Sequence, residues 1–292
     1  MEVQSESIIK EGVFYFIGTL NRQSSSMDAY FLYQEVRKMK TLISVSLFVA
    51  ILALPTAAIA QDLVLYFPFE GNGDTVTDES GKGNDGKLDN GKANRVDSQD
   101  KRFGKAMEFT TKERIAVPES DSLKFDTEVS FVMWLNNADE PGGIGTLPRI
   151  ISRTGDQHEL AMDSGHLQRG HFAYYFGGNP GWTGAMKVTE NKWHHIALTF
   201  DGSEFLIYLD GKQEAELKGG GKKAFTGITY IGSRHTGMDE AYGGLLDELA
   251  IYAGVLDQKQ IEGIMNEGVL DQFPVEPNGK LTTTWASIKN VP

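Results

Sequence analysis

The sequence predicts an all-β domain, a sandwich or barrel of antiparallel strands finished by one short C-terminal helix. Three observations carry that expectation. Short alternating or apolar runs fill residues 63 to 252 and are separated by Gly, Asn and Asp clusters, the pattern of half-buried strands joined by tight turns. Glycine is in excess, at 33 of 292 residues, about 11% against an average usage of roughly 7%. Helical periodicity is nearly absent until Asp257, which stands as an N-cap before Gln258 to Asn266. There Ile261, Ile264 and Met265 share a face and Gly268 supplies a stop.

Taken in order, strands are expected near Leu63 to Phe69, Ala106 to Phe109, Arg114 to Val117, Val129 to Leu135 and Arg149 to Ser152. Further strands are expected near Glu159 to Met162, His171 to Phe176, Trp193 to Phe200, Glu204 to Asp210, Thr229 to Gly232 and Leu245 to Tyr252. Asp201-Gly202 and Asp210-Gly211 close apolar runs and suit the positive φ of tight hairpins, so Trp193 to Gln213 reads as a meander.

Ahead of this domain, residues 39 to 60 have the layout of a secretory signal peptide. Arg37, Lys38 and Lys40 are the basic flank, Leu42 to Leu54 the apolar stretch, Pro55 a helix break and Ala58-Ile59-Ala60 a cleavage site. Cleavage is expected after Ala60, the alternative being an uncleaved anchor over Thr41 to Ala60. Residues 1 to 38 read as an over-long gene start, or else as a true extension around Phe14 to Ile17. The mature domain is set at 61–270, and 271–292 at a linker and tail.

The formal net charge is −12. Residues 1 to 60 hold five basic and five acidic side chains, so the whole imbalance lies beyond them. A chain so charged lacks the basic face that displaces counterions from a nucleic acid, and no nucleic-acid partner is expected. Absence of cysteine excludes thiolate metal sites, thiol nucleophiles and a disulfide scaffold. No membrane association is expected after cleavage, and stability must come from the core, with a structural ion as a possible aid.

The stretch LVLYFPFEGNGDTVTDESGKGNDGKL, the strand FGKAMEFTTKERIAVPESDSLKF, the tryptophan strand VSFVMWLN and the hairpin KWHHIALTFDGSEFLIYLDGK occur in that order. TYIGS and GGLLDELAIYAGVLDQKQIEGIMNEG follow. Together, from Leu63 to Gly268, they resemble the LamG-like jelly-roll domains of the concanavalin A-like lectin/glucanase superfamily. The resemblance implies a two-sheet antiparallel jelly-roll sandwich with a concave sheet on which ligands bind. It does not imply a function, because the superfamily holds enzymes, lectins and adhesion modules.

Retaining glycosidases of this superfamily carry Glu-x-Asp-x-x-Glu on one strand, which sends two carboxylates into one cleft. No such run is present. Glu119-Ser120-Asp121 has Lys124 where the second Glu belongs, and Asp247 and Glu248, being adjacent, are expected on opposite faces of a strand. Arg153 to His158 holds residue types of a lyase without its arrangement. A non-enzymatic role is therefore expected. His194 and His195 are expected to be structural, one of them buried beside Trp193. By resemblance, Asp78, Asn84 and Asp247, with Glu70 in reserve, are the calcium candidates, since hard cations take carboxylate and carbonyl oxygens. The competing reading is that these side chains only make turns.

Sugars stack their C–H faces on aromatic rings and need carboxylate, amide or arginine partners for their hydroxyls. Tyr174, Tyr175 and Trp182, in HFAYYFGGNPGWTGAM, are the candidate platform. Arg234, His235, Asp239 and Tyr242 are candidate polar contacts from the loop before the last strand. The expected function is a secreted, non-catalytic module that binds a carbohydrate or glycoprotein. The alternatives are a protein-interaction or adhesion module and a glycan-active enzyme.

Overall fold

A computed structural model describes residues 61–100, 103–124, 127–138, 146–155, 158–177, 181–219 and 225–272, all within the compact unit Ile59–Pro292. The expected signal peptide, the segment before it and residues 273–292 lie outside the described residues.

The strands are β1 (Asp62–Phe67), β2 (Thr75–Val76), β3 (Gly86–Asn90), β4 (Asn94–Asp97), β5 (Lys105–Thr110), β6 (Arg114–Val117), β7 (Val129–Asn137) and β8 (Arg149–Arg153). They continue as β9 (His158–Met162), β10 (His171–Phe176), β11 (Thr183–Lys187), β12 (Trp193–Phe200), β13 (Glu204–Leu209), β14 (Lys212–Lys218), β15 (Thr229–Ile231) and β16 (Gly243–Ala253). Two helices follow, α1 (Gln258–Glu267) and α2 (Val269–Gln272). The first sheet runs β14-β13-β12-β7-β16-β5-β4 with β1 also on β16, and the second runs β11-β10-β9-β8-β15-β6-β3-β2. All named strand pairs are antiparallel. The predicted two-sheet sandwich with a short C-terminal helix is thus the fold, and the first and last strands, β1 and β16, are neighbours.

Inward-facing side chains of both sheets meet in one apolar core. Phe131, Phe172, Tyr174, Phe176, Phe200 and Phe205 form its aromatic part, with Phe200 and Phe205 stacked at 4.2 Å. The meander turns at both Asp-Gly pairs, with positive φ at Gly202 but not at Asp201 in the first. Asp210 and Gly211 both take positive φ (50° and 78°), as a two-residue hairpin of type I′ requires.

Helix α1 covers the outer face of the first sheet. Asp257 caps it through a reciprocal capping box with Gln260. Ile261 and Ile264 bury themselves against Tyr66, Val132, Ala197, Tyr208, Ala250 and Tyr252, each worth about 1.5–3 kcal/mol of burial. The first sheet is therefore apolar on both faces, which is why β7 is buried along most of its length. Polar groups collect instead on the outer face of the second sheet.

Two expectations need correction. β16 pairs with β5 up to Leu246 and with β1 from Leu249, and the register breaks between. Glu248 at this bulge has φ 51°. Leu246 and Leu249 both enter the core, so Asp247 and Glu248 share the other face: the extra residue of a bulge cancels the period-two alternation. The buried histidine of the pair is His195, which packs on Trp134 at 5.2 Å rather than on Trp193. His194 bonds Asp210 through Nδ1 at 2.9 Å.

Candidate functional site

Alternation along β10 divides the predicted platform. Phe172, Tyr174 and Phe176 point inward, so Tyr174 is 0% exposed and lies 4.7 Å from the Phe205 ring. Burial pushes its phenol up to about 12. Tyr175 points outward and is half-buried beside Trp182, with ring centroids 5.6 Å apart and planes inclined by 34°. Trp182 reaches this position because the strands beneath it carry the small side chains Ala161 and Ala173, which with Leu147 form its seat. Tyr242 is also fully buried, edge-on to Phe109 at 6.0 Å. It fits there because a Cβ on Gly244 would stand 2.7 Å from its hydroxyl oxygen. Tyr174 and Tyr242 are thus core residues, and the outer surface keeps Tyr175 and Trp182.

Arg234 and His235 are brought to the same outer face by the loop between β15 and β16, and the residue that ties them to the aromatic pair is Arg149. Its side chain is 3% exposed. Nε donates to Glu159 at 3.1 Å, Nη2 pairs with Glu240 at 3.1 Å, Nη1 donates to the Leu147 carbonyl, and the Trp182 ring lies 4.4 Å from its guanidinium carbon. Glu240 also receives Arg234 Nη1 at 3.2 Å. Asp239, next to Glu240, is exposed, and the carboxylate engaged in the cluster is Glu240's. Sequence reasoning missed Arg149, Glu159 and Glu240. The signal was present in the strands RIISR and HELAM, where an arginine and a glutamate interrupt apolar runs. Such charges enter a buried strand only when paired.

Ser152, fully buried, lies between Glu159 (2.7 Å from its Oγ) and His235 (Nδ1 at 2.9 Å). A hydroxyl has one proton. Donated to Glu159, it leaves Ser152 to accept from His235 Nδ1–H, and the His235 backbone N–H donates to it as well at 3.2 Å. In a nucleophilic triad the serine gives its proton to the histidine. Here the polarity is reversed, and the three residues lock the loop onto the sheet.

The calcium candidates do not form one ligand set. Both Asp78 oxygens are taken by the turn: Oδ1 accepts from the Tyr66 and Ser80 N–H groups, and Oδ2 from Ser80 Oγ and the Asn84 N–H. The Asn84 amide donates to the Val64 carbonyl and Ser122 Oγ and accepts from Ser120. Asp247 lies at the β16 bulge, where it accepts from Ser98 Oγ and the Glu248 N–H. Exposed Glu70 accepts from the Lys105 N–H at 2.6 Å. Among the described residues, no three His, Asp or Glu side chains are grouped so as to hold a metal ion. Asp247 and Glu248 are still electrostatically notable. Burial, with mutual repulsion and that of Glu70, raises Asp247 to about 8, and burial raises Glu248 to about 7 against the lowering bond from Tyr66.

The outer face of the second sheet therefore offers an aromatic pair beside a network of carboxylates, guanidinium groups and an imidazole held in fixed geometry. Sequence comparison adds the following. A profile of the concanavalin A-like lectin/glucanase superfamily, laminin G type, matches residues 109–262. No curated protein shows significant sequence similarity to the chain. Among solved structures, the binding domain of Paraclostridial mosquitocidal protein 1 superposes with a TM-score of 0.56 at 15% identity, over 70% of this chain and 52% of that one. Domain 4 of AbnA, a GH43 extracellular arabinanase from Geobacillus stearothermophilus solved with arabinotriose, gives 0.53 at 19% identity, over 70% of this chain and 98% of that domain. Trypanosoma rangeli sialidase, in complex with 2,3-difluorosialic acid, gives 0.52 at 16% identity, over 73% of this chain and 33% of the enzyme. The chain thus spans about half of the mosquitocidal binding domain and a third of the sialidase. At these identities the likeness is one of fold.

Proposed function

The chain belongs to the concanavalin A-like lectin/glucanase superfamily, and from that premise we propose that it is an exported carbohydrate- or glycoconjugate-binding module that does not turn its ligand over. One observation carries the reading: Tyr175 and Trp182 stand 5.6 Å apart on the outer face of the second sheet, beside Arg149, Glu240, Arg234 and His235. Aromatic surface for C–H faces next to rigid hydrogen-bonding groups for hydroxyls is the composition of a small-molecule recognition site. The fold class by itself does not choose between binding and catalysis. On this face the serine network, with Ser152 donating to Glu159 and accepting from His235, is not arranged as a nucleophile with its base. The arabinotriose complex of the arabinanase domain supports a glycan as ligand.

Affinity electrophoresis and a glycan array test the proposal. Trp182→Ala is expected to weaken binding by about 2 kcal/mol or more, some thirtyfold in Kd, as loss of a central aromatic anchor does. The variant should keep its far-ultraviolet circular dichroism and a single cooperative unfolding transition. Retention unchanged by Trp182→Ala and Tyr175→Ala would move the site elsewhere, and binding to proteins but to no glycan would establish an adhesion module instead. Export has its own test. The N-terminal sequence of protein recovered from outside the producing cell is expected to begin at Gln61, and a start well upstream would refute cleavage after Ala60.

A further inference from the structure

Resting on the glycan-binding reading of this same face, we infer that its ligands are neutral glycans and that uronate, sialylated and sulfated glycans are excluded. The inference comes from how the three arginines of the face are already used. Arg149 has every nitrogen engaged, by Glu159, Glu240 and the Leu147 carbonyl, and Trp182 covers its plane. Arg114, on β6 with β15 between it and β8, lies 4.7 Å from the Tyr230 ring and holds Asp89 in a fork through Nε (2.9 Å) and Nη2 (2.8 Å). Its Nη1 donates to the Arg234 carbonyl. Arg234, whose side chain is 39% exposed, shares Glu240 with Arg149. Three guanidinium groups are matched by the three carboxylates of Glu159, Glu240 and Asp89.

Recognition of a ligand carboxylate or sulfate calls for a guanidinium fork that is open to it. Arg149 and Arg114 have given theirs to the protein, and Arg234 presents no open fork, since its Nη1 is held by Glu240 and its Nε is buried from solvent. Exposed Lys187 lies four residues along β11 from Thr183, which pairs with Tyr174. At strand spacing that is about 13 Å, beyond the Debye length of about 8 Å at physiological salt. Carboxylate oxygens retain lone pairs that accept from sugar hydroxyls, so the same groups that repel an anion serve a neutral sugar. The chain's net charge of −12 adds a repulsive field for any approaching polyanion.

The test is an array pairing neutral oligosaccharides with their uronate, sialylated and sulfated counterparts, read at low and high salt with the wild type and Glu240→Gln. The wild type is expected to bind neutral members at least tenfold tighter than their acidic partners, with affinity nearly independent of salt. Glu240→Gln uncovers Arg234 and is expected to narrow that ratio by admitting acidic members. Equal or tighter binding of acidic glycans, or affinity that falls steeply with salt, overturns the inference and leaves glycan binding standing. Silence towards every glycan overturns both.

Discussion

Replacing Arg149 by alanine is expected to destabilise the domain by about 3–5 kcal/mol, the range for removing one partner of a buried ion pair. In a domain of this size that is a fall of roughly 10 °C in Tm. The loss does not measure the attraction itself. Arg149 and Glu159 are 3% and 5% exposed, and desolvating both charges offsets most of what their contact returns. What makes the single substitution costly is that Glu159 stays behind in a site where Ser152 is its remaining strong donor among the described residues, while Glu240 is left with Arg234 and the Leu147 N–H there. Trp182 loses the guanidinium in its contact shell at the same time. The double variant Arg149→Met, Glu159→Gln, which removes both charges and keeps volume, is therefore expected to recover at least half of the loss. Urea unfolding of the two variants checks both statements. A cost below about 1 kcal/mol for Arg149→Ala would place the cluster in the screened regime of surface pairs and remove the rigid scaffold on which the glycan site depends.

Four of the five strands the sequence concealed share a cause. β14, β4, β11 and β2 are the four outer strands of the two sheets, and none stood out as a strand, β14 being touched only by the end of the predicted meander; the fifth, β3, is interior but short, with only Gly86 and Leu88 buried among polar residues. An edge strand packs on one neighbour and is solvated on much of its surface, so it carries little apolar alternation. The exposed run KQEAELK of β14 is the plainest case, and its charges suit an edge that must not pair with other chains. Interior strands such as WHHIALTF and HFAYYF are legible because both neighbours and a core face impose their pattern.

The site divides along similar lines. Tyr175, Trp182, Arg234 and His235 were identifiable as residue types in glycine-rich or loop segments, and the structure brings them onto one face. That Tyr174 faces the core and Tyr175 the outside is a matter of parity, which one bulge can invert. Arg149 and Glu159 were hidden because their meaning lies in the pairing of β8 with β9, and Glu240 because a loop carries it to both.

Stability is expected to fall as pH rises from 6.5 to 8, and the bulge in β16 is the reason. In the unfolded chain Asp247 and Glu248 ionise near 3.8 and 4.5, whereas in the fold they do so near 8 and 7. Between those limits the folded state holds protons that the unfolded state has released, so stability decreases with rising pH and the loss is complete above the folded values. His195 works in the opposite sense. Burial lowers it to about 4 from 6.5, so its contribution is lost mainly as pH falls from 6.5 towards 4. Above 6.5 the unfolded imidazole holds at most half a proton, its opposition fades, and the carboxylates set the slope. One unit of differential protonation is about 1.4 kcal/mol, and the window corresponds to roughly 2 kcal/mol, or about 5 °C in Tm. Asp247→Asn, which imitates the protonated side chain facing Ser98, is expected to remove most of the slope and to raise Tm at pH 8. A wild-type Tm that is flat or rising from pH 6.5 to 8 in the presence of EDTA would overturn this account. Calcium in place of EDTA decides the remaining question about Asp247 and Glu70. A hard cation binds only the deprotonated carboxylates, so an ion held there raises Tm far more at pH 8 than at pH 6 and loses its effect in Asp247→Asn, whereas superimposable curves exclude it and leave protons as what relieves the repulsion at the bulge.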